Sequence, residues 1–296
     1  MPLRRIMKLG GLELLMSIDA ESAQKIRSSI LWQGAKDVAA PPVSPRSRNS
    51  TPVATNTSPE IKRLLQRIDE IEWYHTLDLG NGITTPGAFD HSPELSKYPI
   101  PPRLDGMRAL DIATYDGYWA FEFERRGAAE VVATDIGCMA ELDLPEKIRS
   151  QISVEQLAKK TGAGFNLMKE ALHSKVRREI VSVYDLSPER IGKFDFVFCS
   201  DLLLHLKNPM KALESIRSVV QREAVLVEGY SPFLPERTVE YRGGTRRCVW
   251  WSFGLGSLEQ MIRDAGFRDV TLASKFKTGH RGDKSSIWRA AFRAKP

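Results

Sequence analysis

Residues 108–135 read RALDIATYDGYWAFEFERRGAAEVVATD, and this stretch decides the fold of the chain. Residues 109–113 form a short apolar run with one acid inside it, which is typical of a buried parallel strand. Residues 114–117 have the composition of a turn. Residues 118–126 contain no helix breaker and predict a helix that ends at Gly127. A second short strand then ends at Asp135, so the order of elements predicts an α/β fold.

The carboxylate of Asp135 points to a nucleotide-type ligand, because an acid at the end of this strand can accept two hydrogen bonds from a ribose diol. A dinucleotide fold would carry Gly-x-Gly-x-x-Gly, which lets the backbone approach a pyrophosphate. Here the loop holds a single glycine, Gly117, and two acids lie in or before it, Asp111 and Asp116. These acids would repel a pyrophosphate but suit a ligand with cationic groups. The loop therefore favours S-adenosylmethionine over NAD, and an α/β unit without a cofactor is the remaining alternative.

Two segments resemble class I S-adenosylmethionine-dependent methyltransferases. The first is residues 110–122 with the strand-end Asp135, and the second is residues 194–209, FDFVFCSDLLLHLKNP. Within that superfamily the chain is similar, from about residue 73 onward, to the tRNA wobble-uridine (5-oxyacetate) methyltransferase-like group. The resemblance implies a Rossmann-like fold with about seven strands, helices on both faces of the sheet and S-adenosyl-L-methionine as the cofactor.

The remaining strands are predicted from apolar runs. Residues 179–185, 194–200 and 223–228 predict the third, fourth and fifth strands, and residues 268–274 and 286–293 predict a terminal antiparallel pair. A helix is predicted over residues 257–265, with Ser257 as its N-cap.

The resemblance implies a cofactor site along the ends of the first four strands. Asp185, at the end of the third strand, matches the position where the superfamily places an acid near the adenine amino group. A helix or turn cap before Ser187 and Pro188 is the alternative for this residue. The residues expected to contact the cofactor are Asp111, Ala113, Tyr115, Gly117, Asp135, Ile136, Asp185, Leu186 and Ser200.

Length and composition bound the class of protein. At 296 residues, with 42% hydrophobic and 27% charged residues, the chain fits a soluble globular protein with one large domain and an appendage. No apolar run is long enough to span a membrane, and residues 9–20 make a poor signal-peptide core, so a cytoplasmic protein is expected. The three cysteines have no paired spacing, which favours reduced thiols over a disulfide frame, and no metal site is expected. The net charge of +6 permits an anionic partner such as RNA, although scattered surface lysines and arginines explain it equally well, and a homo-oligomer stays open.

The domain organisation follows from composition. Residues 1–38 predict an N-terminal helical extension, with a helix over residues 12–32 that serves as an interaction helix or a lid; a disordered extension is the alternative. Residues 39–58 are rich in proline, serine and threonine and predict a flexible linker. Residues 59–296 form the predicted methyltransferase domain, which begins with a helix capped by Ser58.

Two irregular segments, residues 73–91 and 237–251, combine aromatic and polar groups and predict the walls of an acceptor site. The residues expected to contact the acceptor are Trp73, His75, Tyr230, Arg242, Trp250 and Trp251, and Arg246 and Arg247 could hold an anionic group. The alternative is that the aromatic residues anchor these segments to the core, with the second segment an edge hairpin. A small-molecule acceptor, natural-product or sugar-like, and a tRNA both remain candidates.

Methyl transfer depends mainly on alignment, and a base helps if the acceptor must lose a proton. The catalytic candidates are His205, which follows the fourth strand, then Glu228 and His91; a structural role is the alternative for His205. The resembled wobble-uridine enzymes use a carboxylated cofactor and carry a tyrosine where this chain has Leu204. The missing hydroxyl favours ordinary methyl transfer. A tRNA-modifying enzyme and a non-catalytic protein that keeps the cofactor fold are the alternatives.

Overall fold

A computed structural model of the protein describes residues 4–9, 12–17, 58–244, 248–281 and 286–296. Its strands β1 to β11 are Arg4–Leu9, Leu12–Ser17, Arg108–Ile112, Glu130–Asp135, Arg177–Ile180, Phe194–Ser200, Val220–Gly229, Val239–Tyr241, Trp251–Phe253, Asp269–Gly279 and Ser286–Lys295. Its helices α1 to α8 are Pro59–Asp69, Tyr118–Arg125, Glu146–Arg149, Val154–Leu157, Ala163–Ala171, Pro188–Ile191, Pro209–Val219 and Leu255–Asp264. Short 3-10 helices are Ser92–Lys97, Met139–Glu141, Val183–Asp185 and Leu203–His205. Within these described residues, no helix has the length and apolar character needed to cross a membrane.

The chain divides into two units, Met1–Thr57 and Ser58–Pro296. In the first unit, β1 and β2 form an antiparallel pair in which Leu9 lies opposite Leu12. The predicted helix is therefore wrong over residues 12–17, and the rest of it lies outside the described residues, as does the predicted linker up to residue 57. The reason lies in the sequence, where two glycines, residues 10 and 11, separate the two runs and favour a hairpin.

The second unit is built on a seven-stranded sheet with the order β10-β11-β7-β6-β3-β4-β5. Strands β3 to β7 run parallel to one another, whereas β11 is antiparallel to both β7 and β10. Helices α2, α5, α6 and α7 connect the parallel strands, since a parallel pair needs a crossover connection. The predicted α/β sheet and its terminal antiparallel pair are confirmed.

The strand order determines where a ligand can bind. From β3 the chain builds the sheet outward through β4 and β5, and it then returns to β6 on the other side of β3. The order thus reverses between β3 and β6. In an open α/β sheet, such a reversal leaves a crevice outside the carboxyl ends of the strands.

Both faces of the sheet are buried. Successive side chains of a strand point to opposite faces, so β3 and β6 each contribute residues to both apolar clusters. In β3, Leu110 and Ile112 belong to one apolar cluster, together with Val197 of β6. Ala109 belongs to the other cluster, together with Phe198. This double burial explains why β3 and β6 read as nearly continuous apolar runs.

Two predicted helix caps have different outcomes. The Oγ atom of Ser58 accepts a hydrogen bond from the backbone nitrogen of Ile61 at 3.3 Å, so the predicted N-cap of α1 is confirmed. The predicted N-cap Ser257 is wrong, because α8 begins at Leu255 after Gly254. An extended glycine before the helix replaces the side-chain cap there.

The third strand is shorter than predicted. Strand β5 ends at Ile180, and Ser182 then accepts a hydrogen bond from the backbone nitrogen of Tyr184 at 3.3 Å. This side chain starts the 3-10 helix Val183–Asp185, so local capping replaces sheet pairing.

The two outer strands of the sheet differ in length. Strand β5 has four residues, two of which are arginines. Strand β10 has eleven residues, and its register with β11 shifts between Leu272 and Ser274. Lys275 and Lys277 lie exposed on β10 beyond this shift.

Candidate active site

The loop from β3 to α2 has an unusual backbone. Ala113, Tyr115 and Gly117 all have positive φ angles, of 57°, 52° and 92° respectively. Glycine is required at the last of these positions, because a Cβ atom on Gly117 would lie 2.4 Å from the ring of Phe121. The other two positions hold residues with side chains in a conformation that such residues rarely adopt.

Asp111 fixes this loop to the helix that follows. One carboxylate oxygen, Oδ2, accepts hydrogen bonds from the hydroxyl of Thr114 at 2.6 Å and from the backbone nitrogen of Ala120 at 3.1 Å. The side chain is 1% exposed, and burial raises the pKa of Asp111 to about 7. Asp111 is therefore a buried acceptor that holds the loop against the start of α2.

Asp135 lies at the open end of β4. Its Oδ2 accepts a hydrogen bond from the backbone nitrogen of Tyr115 at 3.1 Å, and its Oδ1 accepts one from Ile136 at 2.8 Å. Arg178 lies 3.9 Å from the carboxylate. Burial raises the pKa of Asp135, while the backbone hydrogen bonds and Arg178 oppose this shift. Each carboxylate oxygen keeps a lone pair, so the side chain can accept hydrogen bonds from a diol.

The segment 73–91 is tied to the cofactor loop through Asp116, which is buried. Its Oδ2 accepts hydrogen bonds from the backbone nitrogens of Tyr74, at 3.1 Å, and His75, at 2.7 Å. Its Oδ1 lies 2.5 Å from Nδ1 of His75. His75 was predicted to contact the acceptor, but the structure buries it against this carboxylate.

Two further residues of this segment are anchors, as the alternative interpretation proposed. Trp73 is buried, and its indole nitrogen donates to the carbonyl of Ile68 at 2.9 Å. His91 is 1% exposed, with its Nδ1 3.0 Å from the hydroxyl of Tyr98 and its ring 5.3 Å from that of Trp119. Burial holds the pKa of His91 well below its usual value. His91 is therefore buried, which argues against its predicted role as a catalytic base.

Glu228, at the end of β7, is also buried. Its Oε2 accepts a hydrogen bond from the backbone nitrogen of Leu203 at 2.6 Å, and its Oε1 accepts one from Gly229 at 2.8 Å. Burial raises the pKa of Glu228 to about 8. The structure thus places Glu228 as a support for the 3-10 helix Leu203–His205.

His205 lies half-buried on that 3-10 helix. Its Nδ1 lies 3.2 Å from the backbone carbonyl of Cys248, which can only accept, so Nδ1 carries the proton. The lone pair is then on Nε2. Burial lowers the pKa of His205, which favours the neutral imidazole that a general base requires.

The segment 237–251 includes β8, which pairs antiparallel with β9. Trp250 is buried and donates from its indole nitrogen to the carbonyl of Asp143 at 2.7 Å. The indole nitrogen of Trp251 donates to Leu206 at 2.9 Å. Both tryptophans therefore hold this paired segment against neighbouring backbone, as the hairpin alternative proposed.

Arg242 forms an ion pair with Glu240 at 2.9 Å, which neutralises the predicted anion-binding group. Arg246 and Arg247 lie outside the described residues. Tyr230 is half-buried, and its ring lies 6.2 Å from that of Trp288.

Three further residues of the predicted cofactor site have different surroundings. Asp185 has a largely exposed side chain, 3.7 Å from Arg190. Leu186 is buried in the core. Ser200, the last residue of β6, donates from its hydroxyl to Asp201 at 3.3 Å.

One pair in this region was missed by the sequence analysis. Arg289 of β11 is fully buried, and its Nε lies 3.0 Å and 2.8 Å from the two carboxylate oxygens of Asp201. Its guanidinium lies 5.3 Å from the centre of the Phe89 ring. The sequence did carry a signal for this pair: residues 287–292, IWRAAF, place a single charged residue within an apolar strand, where a charge needs a partner.

Comparison with known proteins places this geometry in a family. A family model described as "Methyltransferase domain" matches residues 90–272. The tRNA U34 carboxymethyltransferase of Pseudomonas aeruginosa (strain LESB58) is 26% identical over 191 residues, which cover 62% of this chain and 52% of that protein. The enzyme of the same description from Stutzerimonas stutzeri is 24% identical over 199 residues, covering 64% of this chain and 54% of that protein. The chain thus spans about half the length of the curated relatives it matches.

Among solved structures, the chain is similar to the N-terminal domain of EvdMO1, determined in the presence of SAH and D-fucose. The TM-score is 0.52 at 14% sequence identity, and the match covers 81% of this chain and 97% of that chain. At this identity the likeness bears on the fold, and it confirms the predicted Rossmann-like arrangement.

Proposed function

Since the chain belongs to the methyltransferase domain family, we propose that it transfers the methyl group of S-adenosyl-L-methionine to an oxygen or nitrogen atom of a small-molecule acceptor. When bound, this cofactor supplies a methyl group activated by a positively charged sulfur. The observation that carries the proposal is Asp135, whose carboxylate is held at the strand reversal by the backbone nitrogens of Tyr115 and Ile136.

The proposed cofactor contacts follow from this geometry. Asp135 accepts hydrogen bonds from the ribose hydroxyls, since its two oxygens are fixed in direction by the backbone. Asp111 acts indirectly, because it is buried and orders the loop that contains Tyr115. These contacts within the protein hold the loop in place, which limits the conformational entropy that binding would cost.

The proposed catalytic step depends on alignment and on His205. Nε2 of His205 takes the proton from an acceptor hydroxyl or amino group as the acceptor bonds to the methyl carbon. Burial keeps the imidazole neutral, and Cys248 fixes its tautomer. Glu228 holds the backbone of the 3-10 helix that carries His205.

A small-molecule acceptor is favoured by the site itself. Leu204 lacks the hydroxyl that the resembled wobble-uridine enzymes use, and Arg242 is neutralised by Glu240. The second candidate is a tRNA acceptor, which the similarity to tRNA U34 carboxymethyltransferases favours. A non-catalytic protein is the third.

The test is a transfer assay with methyl-labelled S-adenosylmethionine, in which the protein is incubated separately with a small-metabolite extract and with total tRNA. Label in the metabolite fraction supports the proposal, whereas label in the RNA that depends on low salt supports the tRNA candidate.

Asp135→Asn should weaken binding of the cofactor by about 1–3 kcal/mol, because the ribose hydroxyls lose a charged acceptor. Asp264→Asn, on the exposed end of α8, is the matched control and should bind as the wild type does. Calorimetry measures both, and full affinity in Asp135→Asn would remove this residue from the site.

A further inference from the structure

Two tyrosine rings meet beside the carboxyl end of β3. The ring centres of Tyr74 and Tyr115 lie 5.6 Å apart, with 52° between their planes. The backbone nitrogen of Tyr115 donates to Asp135 and that of Tyr74 donates to Asp116, each at 3.1 Å. The same carboxylates that order the site thus hold the backbone of both tyrosines.

Tyr115 has a conformation that local packing does not explain. Its φ angle of 52° lies in the left-handed region, which is unfavourable for any residue with a Cβ atom. Tyr115 remains 46% exposed, so burial of its ring offsets only part of this cost. Strained residues of this kind occur at ligand sites, where a contact with the ligand justifies the strain.

The charges around the two rings favour a cation. Burial raises the pKa of Tyr74, and the negative charge of Asp201 raises it further, with smaller effects of Glu228 and Asp116. Arg289 lowers this pKa, and its Nε is paired with Asp201 at 2.8 Å. The acids that act on Tyr74 thus come from the carboxyl ends of β3, β6 and β7 or from the loops that follow these strands.

Tyr115 has a similar environment. Burial raises its pKa to about 12, and the charges of Glu72, Asp116 and Asp135 act in the same direction. Two aromatic rings on which nearby carboxylates act attract a cationic ligand group through the negative face of each ring.

We propose that Tyr74 and Tyr115 form the subsite for the sulfonium group of the cofactor. This inference rests on the proposed function, because it takes S-adenosylmethionine as the ligand. When methyl transfer is complete, the bonding electron pair of the broken carbon–sulfur bond stays on sulfur, and the positive charge is lost. The rings then attract the neutral thioether product less. This subsite therefore distinguishes S-adenosylmethionine from S-adenosylhomocysteine and favours product release.

The experiment compares S-adenosylmethionine with S-adenosylhomocysteine by calorimetry on the full chain. In Tyr115→Leu, affinity for S-adenosylmethionine should fall about 3- to 10-fold, while affinity for S-adenosylhomocysteine changes less than about twofold. Tyr115→Phe keeps the ring and should keep the wild-type ratio of the two affinities. Phe233→Leu removes an exposed ring of the chain and should leave both affinities unchanged.

An equal loss of both affinities in Tyr115→Leu would overturn the inference, because the ring would then contact the part that the two ligands share. Tyr115→Gly separates function from folding: it removes the ring and relieves the left-handed strain, so its melting temperature should not fall while its preference for the cationic ligand is lost. A lower melting temperature with an unchanged affinity ratio would assign the ring a structural role. If the wild type binds neither ligand, the proposed function fails as well, which distinguishes that failure from a loss confined to the tyrosine variants.

Discussion

Burial sorts the titratable side chains near the carboxyl ends of the strands into two kinds. Asp111 and Glu228 are buried, and each accepts hydrogen bonds that hold backbone in place. His91 is an aromatic member of the core. His205 differs, because it is half-buried and keeps a nitrogen lone pair that its own backbone contact does not use. Among these candidates, we therefore assign proton transfer to His205.

His205→Gln is expected to reduce the rate about 100-fold or more with cofactor binding intact, since glutamine keeps the size and polarity but cannot take a proton. The base acts when neutral, and burial lowers the pKa of His205, so kcat/KM of the wild type should fall on acidification at a lower pH than an ordinary histidine would give. The variant should lose this acidic limb. His173→Asn, at an exposed position whose left-handed backbone asparagine tolerates, is the control. Near-normal turnover in His205→Gln would return this histidine to a structural role.

The sequence predicts the local features of the site better than its pairings. The acid at the end of β4 follows from a pattern within 28 neighbouring residues, so Asp135 could be singled out. The contact between Asp116 and His75 joins residues 41 apart, and that between Arg289 and Asp201 joins residues 88 apart. No periodicity encodes such pairs, because they depend on how separate elements meet. For the same reason, histidines in an irregular segment could not be assigned to the core or to the site.

The segment 73–91 has little regular structure, and hydrogen bonds over its length replace it. Thr76 donates from its backbone nitrogen to Phe89 at 2.7 Å, and the hydroxyl of Thr85 donates to the carbonyl of His75 at 2.8 Å. Asp116 joins this folded segment to the cofactor loop. Aromatic residues of this segment, which suggested the wall of an acceptor site, therefore help to order the segment itself.

Asp116→Ala should lower the free energy of unfolding by about 2–4 kcal/mol, because the backbone nitrogens of Tyr74 and His75 and the imidazole of His75 lose their acceptor. Hydrogen exchange should show loss of protection at Tyr74 and His75 before any loss in the sheet. Asp90→Ala is the matched control in the same segment, since Asp90 accepts only an exposed hydrogen bond from Ser92 and its removal should cost a few tenths of a kcal/mol. Similar protection in both variants would show that Asp116 does not hold the segment.

Among the residues that the structure describes, every member of both apolar clusters lies in the second unit. Their members extend from Ile68 to Ala294, and the seven-stranded sheet uses residues from Arg108 onward. Ser58 supplies the cap of the first helix of this unit. The folding information for the sheet is therefore expected to lie in residues 58–296.

A chain that begins at Ser58 should keep the melting temperature and the cofactor affinity of the full chain. The physical reason is that the core residues and Asp135 all belong to this part. Calorimetric unfolding and titration with S-adenosylmethionine measure the two quantities. A large loss of either would show that residues 1–57 stabilise the second unit.

The shape of the outermost strands bears on self-association. A long strand with a free edge can add a strand from another chain, which leads to polymerisation. In β10 the register shift between Leu272 and Ser274 interrupts the regular pairing, and the exposed Lys275 adds positive charge to this strand. Strand β5, at the opposite edge, is short and carries two arginines. Concentrated solutions should therefore resist fibre growth along the sheet, and any closed oligomer would have to form through other surfaces.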